Sequence, residues 1–157
     1  ASGDTHEGIT DITNSWSVKD LQPFDILIQE NELDSVMVSH AFDKKLDPNY
    51  PSSLSQNIIT KMLREDLGFE GVVICDDPSM RAISDHYNLE ETFKLMLNAG
   101  VDLFCLGNNL IYDPDYIPNA ISAVCSLISS GKIKKARIEQ SIDKIELLKS
   151  NYGIGKK

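Results

Sequence analysis

The sequence predicts an α/β fold made of three consecutive strand–helix units with parallel strands. In residues 71–75, Gly-Val-Val-Ile-Cys, an apolar run leads directly into Asp76 and Asp77, which is typical of a strand that is buried on both faces and ends at a charged edge. Predicted strands start at positions 36, 72 and 101. That spacing fits strand–helix units whose connections cross back over the sheet.

The first strand follows a polar opening segment and a short helix. Ser17, with Asp20 three residues later, has the pattern of a capping box. Pro23 cannot donate a hydrogen bond within a continuing helix, so we expect a short turn and then a helix over residues 23–29. Residues 35–40, Ser-Val-Met-Val-Ser-His, predict the first strand.

The first crossover helix is expected to begin near Ser55, an N-cap residue type, and to end at Gly68. Its apolar side chains recur with helical spacing. They are Ile58, Ile59, Met62, Leu63 and Leu67.

The second unit repeats this arrangement with a strand over residues 71–76 and a helix that starts after Asn88. Glu91 stands where a capping box requires it, and Gly100 predicts the end of the helix.

The third unit has a strand over residues 101–106 and a helix from about Pro118 to Gly131. A last helix closes at Gly153 and carries an apolar stripe that is expected to pack on a neighbour. The stripe consists of Ile138, Ile142, Ile145, Leu148 and Tyr152.

Three units are too few for a complete (β/α)8 barrel, which needs about 250 residues. They predict either part of a barrel or a small doubly wound sheet. An open piece of barrel would expose unpaired strand edges, which proteins avoid. We therefore expect the missing strands to come from elsewhere, or a compact arrangement that is not a barrel.

The composition predicts a globular protein without an affinity for polyanions. The chain has 157 residues, 41% hydrophobic and 25% charged, with a net charge of −9 and a pI near 4.7. This acidity disfavours nucleic acid and anionic membranes, and no apolar stretch approaches the roughly 20 residues of a membrane span. Because residue 1 is Ala rather than Met, we expect the chain to begin inside a longer protein.

The three cysteines, Cys75, Cys105 and Cys125, are odd in number and lack CxxC spacing. We expect them to be reduced and buried, which favours the cytoplasm over the periplasm.

Two groups of residues could carry catalysis: Asp4-Thr5-His6 near the start, and Asp76 at the end of the second strand. Retaining glycoside hydrolysis needs a carboxylate that attacks the anomeric carbon and a second group that first donates and then removes a proton. Asp76 could be the first and His6 the second, with Asp4 fixing the imidazole tautomer. The alternatives are that Asp76 only caps a turn and that Asp4 and His6 share a polar loop by chance.

Residues 61–80 resemble the active-site signature of glycoside hydrolase family 3. They carry its Leu-Arg and Leu-Gly-Phe elements, followed by its Gly-Val-Val strand. The resemblance implies that Asp76, the first Asp after that strand, is the nucleophile. Cys75 replaces the usual Ser or Thr, and Pro78 replaces Leu or Met, so the turn after Asp76 departs from the family pattern.

The opening residues 2–17, SGDTHEGITDITNSWS, are similar to the mobile loop of the bacterial β-N-acetylhexosaminidase branch of this family. In that loop a Gly-Asp-Ser-His motif holds an Asp-His acid/base pair. The resemblance implies that His6 is the acid/base and that Asp4 orients it. It also implies release of terminal β-linked N-acetylhexosamine with retention, no cofactor, and peptidoglycan fragments as a substrate. No metal site is expected, because the sequence has no HxxxH, CxxC or carboxylate triad.

The resemblance further implies that residues 1–157 are the carboxyl-terminal portion of the catalytic barrel. Residues 1–16 would be the catalytic loop, and residues 17–157 would be the units of strands six to eight plus a terminal helix. The family's sugar-binding stretch Lys-His-Phe-Pro-Gly-His is not in this sequence. The chain is therefore expected to need the missing barrel half or self-association, and the isolated chain could be inactive.

Other polar residues near the strand ends have two interpretations. His40 ends the first strand at the same edge as Asp76, so it could bind the sugar or be hydrogen-bonded only within the protein. Asp77 should lie on the opposite side of the strand from Asp76 and be structural. Asn108 and Asn109 are expected in a turn, and residues 85–86, Asp-His, in a solvated loop.

The alternatives to a glycosidase belong to two other classes of function. One is a non-catalytic half-barrel that acts as an assembly or interaction module. The other is a phosphoryl-receiver module, which is disfavoured because the third strand ends in Leu106-Gly107-Asn108 rather than in a lone Asp or a Lys.

Overall fold

A computed structural model describes residues 3–108, 110 and 112–155. Its centre is a parallel sheet of three strands in the order β1-β2-β3, with β1 at Ser35–Val38, β2 at Val72–Cys75 and β3 at Leu103–Phe104. The predicted α/β class and the parallel order of the three units are confirmed. The third strand is shorter than the predicted span of residues 101–106.

Helical segments precede, separate and follow the strands. They are the 3₁₀ helices Val18–Leu21 and Ser52–Leu54, the π-helix Asn57–Asp66, and five α-helices: α1 (Gln22–Gln29), α2 (Arg81–Ser84), α3 (Leu89–Ala99), α4 (Tyr116–Ser129) and α5 (Lys135–Asn151).

The predicted capping residues cap their helices, but the box expected of Asn88 and Glu91 forms only in its Asn88 half, and the helix type differs in one case. Ser17 and Asp20 make the reciprocal capping box of the first 3₁₀ helix, and the Asn88 side chain accepts from the Glu91 N–H at 2.9 Å. The Ser55 hydroxyl accepts from the Ile58 N–H at 3.1 Å. The helix that follows Ser55 has π geometry rather than the α geometry expected from its apolar spacing.

Helices cover one face of the sheet. Val38, Val73 and Cys75 lie on that face and pack with buried side chains of the π-helix and α3. A second cluster, built around Phe93 and Leu127, joins α3 to α4.

The opposite face carries a cross-strand row formed by Met37, Ile74 and Leu103, which are register partners. Met37 is 59% exposed and Leu103 36% exposed, while Ile74 is half-buried. Within the described part of the chain, burial of the second strand on both faces is therefore wrong at the centre of the sheet. We call Met37, Ile74 and Leu103 the open row.

Two other burial predictions are corrected. Cys75 is buried, but Cys105 and Cys125 are exposed, because they lie after the short third strand and on the outer side of α4. The stripe of α5 is also only partly covered: Ile138 packs against the α3–α4 cluster, whereas Ile142 and Tyr152 are exposed. No helix within the described ranges is long and apolar enough to cross a membrane.

A buried ionic network holds α5 and the π-helix to the strands, on the side where the strands begin. The Asp102 carboxylate, whose side chain is 1% exposed, accepts from Arg64 at 2.6 Å and lies 3.4 Å from Arg137. It also accepts from the Ser141 hydroxyl at 2.6 Å and from the Val73 N–H at 3.0 Å. Its charge is thus paired and its oxygens are hydrogen-bonded, as a buried carboxylate requires.

Gly71 lies where the chain enters β2 and leaves no room for a side chain. A Cβ atom there would lie 2.4 Å from the Asp34 carbonyl oxygen and 2.6 Å from the Phe69 ring. We expect Gly71→Ala to lower the free energy of unfolding by about 1–3 kcal/mol, the usual cost of overpacking. Urea unfolding measures this change in the free energy of unfolding. The control is Lys61→Ala, which changes an exposed residue of the π-helix. Equal midpoints for the two variants would contradict the close contact.

Candidate active site

Asp76 follows β2 at the carboxyl end of the sheet. Its backbone N–H donates to the Val38 carbonyl at 3.1 Å, which extends the pairing of β1 with β2 by one residue. The carboxylate is half-buried, and its Oδ1 accepts from the Asp77 N–H at 2.8 Å. Among the residues that the structure describes, Oδ2 has no hydrogen-bond donor. One oxygen is therefore fixed by the protein and the other is free to react.

The turn after Asp76 is tied to its neighbours through Asp77, which is buried. The Asp77 carboxylate accepts from the Ser79 N–H at 2.9 Å and from the Gly107 N–H at 3.0 Å. Gly107 follows β3, so this carboxylate links the ends of two adjacent strands. The expectation that Asp77 is structural agrees with these contacts.

His40 lies beneath the same turn and is fully buried. Its Nε2 is 2.9 Å from the Asp77 carbonyl oxygen and its Nδ1 is 2.7 Å from the Ser53 hydroxyl. Burial lowers the pKa of His40, against the opposing effect of the Asp77 carbonyl, so the neutral imidazole is favoured at neutral pH. A carbonyl can only accept, so Nε2 carries the proton and Nδ1 accepts from Ser53. The structure thus shows His40 hydrogen-bonded within the protein through both ring nitrogens, which is the second of its two interpretations.

Asp4 and His6 form a hydrogen-bonded pair on the opening loop. The Asp4 Oδ1 atom lies 2.7 Å from the His6 ring Nδ1 and accepts from the His6 backbone N–H at 2.9 Å. Both side chains are more than half exposed. The His6 backbone N–H and then its ring lower the pKa of Asp4, which keeps the carboxylate charged. With Nδ1 directed at Asp4, the Nε2 atom is left for proton transfer.

The opening loop is attached to the segment that follows Asp76. The Thr5 carbonyl, between Asp4 and His6, accepts from the Ala82 N–H in the first turn of α2 at 3.3 Å. That N–H has no acceptor within its own helix, and α2 begins five residues after Asp76. This hydrogen bond attaches the loop of Asp4 to the helix that begins five residues after Asp76, although the two acids are 72 residues apart in the sequence.

The rest of the opening loop is fastened beside the end of β1. The Thr10 carbonyl accepts from the Phe42 N–H at 2.9 Å, and the Ile12 N–H donates to the Phe42 carbonyl at 2.8 Å. Lys45 Nζ donates to the Thr13 carbonyl at 2.7 Å. The loop thus spans from β1 to α2 along the carboxyl edge of the sheet.

Several contacts at this edge are not evident from the sequence. Ser53 and Ala82 carry no motif, and only the folded chain places them against His40 and Thr5. Asn108 occupies a turn, as predicted, with φ of 50° and two hydrogen bonds to the Asp113 backbone. Asn109 lies outside the described residues. The 85–86 pair is exposed.

Within residues 3–108, 110 and 112–155, no group of three or more His, Cys, Asp or Glu side chains is arranged to hold a metal ion.

The sequence pattern of the Glycosyl hydrolase family 3 N terminal domain matches residues 1–148 of the chain. A beta-hexosaminidase from Haemophilus influenzae (strain PittEE) is 39% identical over 89 residues, which are 57% of this chain and 25% of that protein. A beta-hexosaminidase from Nitrosomonas eutropha is 28% identical over 145 residues, 88% of this chain and 40% of that protein. The chain thus spans well under half the length of these curated relatives.

Solved structures agree with this match. The family 3 beta-N-acetylglucosaminidase from Paenibacillus sp. str. FPU-7 superimposes with a TM-score of 0.86 at 27% identity, over 99% of this chain and 29% of that one. The beta-N-acetylglucosaminidase from Thermotoga maritima superimposes with a TM-score of 0.79 at 30% identity, over 94% of this chain and 32% of that one. With the match over residues 1–148, these likenesses establish that the chain belongs to glycoside hydrolase family 3.

Proposed function

We propose that this chain is the carboxyl-terminal part of a β-N-acetylhexosaminidase barrel and that Asp76 and His6 carry out the hydrolysis. The substrate would be a glycoside with a terminal β-linked N-acetylhexosamine. The observation that carries the proposal is the free Oδ2 of Asp76 at the carboxyl edge of the sheet, close to the loop that holds the Asp4–His6 pair. The names of the relatives support the choice of sugar.

The proposed reaction has two steps. Oδ2 of Asp76 attacks the anomeric carbon, the bond to the leaving oxygen breaks, and His6 Nε2 donates its proton to that oxygen. In the second step His6 removes a proton from water, which attacks the same carbon and releases Asp76. Two displacements retain the β configuration. Asp4 stabilises the imidazolium and keeps Nε2 directed away from itself.

We also propose that the three strands are strands six to eight of a (β/α)8 barrel. The open row would face the barrel interior, where side chains from the missing strands would cover it. Beside β1 lies an apolar groove of about 250 Å³ between α1 and the π-helix, lined by side chains such as Phe24, Val36 and Met62. Apolar side chains from a strand and helix of the amino-terminal half of the barrel would enter this groove. The low coverage of the relatives supports this arrangement.

The anomeric outcome tests the reaction in the completed enzyme, by which we mean this chain joined to the amino-terminal barrel segment that the relatives carry. Proton NMR of the first sugar released should show the β anomer. First release of the α anomer would exclude a covalent intermediate. No hydrolysis in the completed enzyme would reject the glycosidase proposal.

Two further properties are proposed, the first on the basis of family membership. Peptidoglycan fragments would be a natural source of the N-acetylhexosaminide. Separately, the three unpaired cysteines are the reason to propose the cytoplasm rather than the periplasm as the location. A sugar pocket requires groups from the rest of the barrel, so the isolated chain would have little activity.

The open row also favours a second candidate function, in which the isolated chain is a non-catalytic half-barrel that self-associates. Exposed apolar side chains in a contiguous row are typical of an interface. Light scattering of the isolated chain after size exclusion tests this second function. A stable monomer argues against self-association, and a discrete dimer supports it.

His6→Ala should affect substrates according to their leaving groups. We expect kcat/KM of the completed enzyme to fall about 10²–10⁴-fold for a disaccharide, whose leaving oxygen needs a proton. For a dinitrophenyl glycoside, which leaves without protonation, the loss should be about 10-fold or less.

The matched control for this prediction is His86→Ala, which removes an exposed histidine. Its kcat/KM for the disaccharide and for the dinitrophenyl glycoside should stay near the values of the unmodified enzyme. An equal loss of kcat/KM for both substrates in His6→Ala would reject the role of acid catalyst.

A further inference from the structure

Asp76 itself is paired to β1 through the Val38 carbonyl, and the turn that follows it at Asp77 is held by one contact from each neighbouring strand end. On the β3 side, Gly107 N–H donates to the Asp77 carboxylate. On the β1 side, the only described side chain that reaches the turn backbone is His40, through Nε2 and the Asp77 carbonyl at 2.9 Å. The same carbonyl also accepts from Met80 N–H at 3.1 Å, but that bond lies within the turn and cannot anchor it to the sheet.

The position of this carbonyl limits the geometry at Asp76. Asp77 donates its own N–H to Asp76 Oδ1 at 2.8 Å, so one residue carries both the donor for the carboxylate and, in the next peptide plane, the acceptor for His40. Pro78 follows and has a fixed φ and no N–H. The N–H and the carbonyl of Asp77 lie in successive peptide planes joined at its Cα atom, and the proline that follows restricts the backbone angles open to Asp77. Anchoring the carbonyl therefore limits the orientations of the N–H that holds Asp76.

His40 is itself held in a single orientation. It is fully buried, and both ring nitrogens have partners, Ser53 on one side and Asp77 on the other. Ser53 is also buried and belongs to a 3₁₀ helix between β1 and the π-helix. The imidazole therefore has no nitrogen left for a sugar, and its hydrogen bonds run toward the turn.

We propose that His40, oriented by Ser53, is a positioning residue that aligns the Asp76 carboxylate for attack, because it anchors the Asp77 carbonyl and so limits the orientation of the Asp77 N–H. The proposal rests on the proposed glycosidase function for its kinetic consequence. Its structural consequence, a restrained Asp77 N–H, is independent of activity.

The experiment compares His40→Phe with His40→Gln in the full chain and in the completed enzyme. Phe fills the site without a donor, whereas Gln keeps an N–H at a similar reach. The matched control is His86→Phe, at an exposed position.

Amide hydrogen exchange of the full chain is the first measurement. We expect exchange at the Asp77 N–H to rise about 10-fold or more in His40→Phe and clearly less in His40→Gln. The Val73 N–H, which donates to Asp102 at 3.0 Å, reports on the fold and should be unchanged. Unchanged exchange at Asp77 in His40→Phe overturns the proposal. A parallel rise at Val73 and Asp77 in both variants overturns it too, because His40 would then serve the whole fold.

Kinetics of the completed enzyme is the second measurement. We expect kcat for an aryl N-acetyl-β-glucosaminide to fall about 10- to 100-fold in His40→Phe with KM within about 3-fold, and to recover in part in His40→Gln. A rise in KM at constant kcat would mean that His40 supports sugar binding instead, which overturns the positioning role. If the unmodified completed enzyme has no activity, the glycosidase proposal fails, and exchange at Asp77 alone decides whether His40 fixes the turn.

Discussion

Asp76→Ala in the completed enzyme is expected to lower kcat/KM for an aryl N-acetyl-β-glucosaminide by about 10³-fold or more. Among the residues that the structure describes, the substitution removes the one carboxylate at the end of β2 that has an oxygen without a hydrogen-bond donor, and loss of a nucleophile removes the covalent route. The fold should be intact, because Asp76 is only half-buried and its carboxylate accepts a single hydrogen bond.

Asp85→Ala is the matched control, since Asp85 is an exposed carboxylate nine residues further along the chain. Its rate should stay within about 2-fold of the unmodified enzyme. A near-normal rate for Asp76→Ala, with unchanged circular dichroism, would refute the assignment of the nucleophile.

Asp102→Ala is expected to have the largest effect on stability, lowering the free energy of unfolding by about 3–5 kcal/mol. The carboxylate is 1% exposed and is the shared partner of Arg64 and Arg137, so its removal leaves two mostly buried cations without an anion. It also removes the acceptor for the Val73 N–H inside the sheet. A loss of this size is a large fraction of the stability of a typical domain.

The control for Asp102→Ala is Glu146→Ala, which breaks the exposed ion pair with Lys149. Exposed pairs contribute little, about 0–1 kcal/mol. Urea unfolding of both variants measures the difference. A similar small shift for the two would mean that the buried network does not hold α5 and the π-helix to the sheet.

Local patterns in the sequence predicted the features that depend on neighbouring residues. The capping box at Ser17, the Asn88 cap and the left-handed Gly100 at the end of α3 all form as expected. The parallel order also followed from the sequence, since strand–helix units of this length permit no direct hairpin.

Features that depend on distant contacts were not predictable in the same way. The π geometry of residues 57–66 is not encoded in the apolar spacing, which fits an α-helix equally well. The open row is exposed because the described chain has nothing to cover that face, and an apolar run does not reveal whether its partner lies in the same chain. The orientation of His40 depends on Ser53 and Asp77, 13 and 37 residues away.

In the candidate site, too, contacts between residues near in sequence were predictable and contacts between distant residues were not. The Asp4–His6 hydrogen bond joins residues two positions apart, so its spacing in the sequence is enough to suggest it. The attachment of their loop to α2 through Thr5 and Ala82 joins residues 77 positions apart. Only the fold brings that loop to α2, the helix that follows β2.

Covalent trapping of the completed enzyme tests the central proposal most directly. A fluorinated N-acetylglucosaminyl fluoride should form a long-lived adduct, and mass spectrometry of the tryptic digest should locate it on the peptide of residues 65–81, with fragmentation assigning it to Asp76. The Asp76→Ala variant should remain unlabelled. An adduct on Asp77 or on any other residue, or continued turnover of the probe without a carboxylate adduct, would contradict the account.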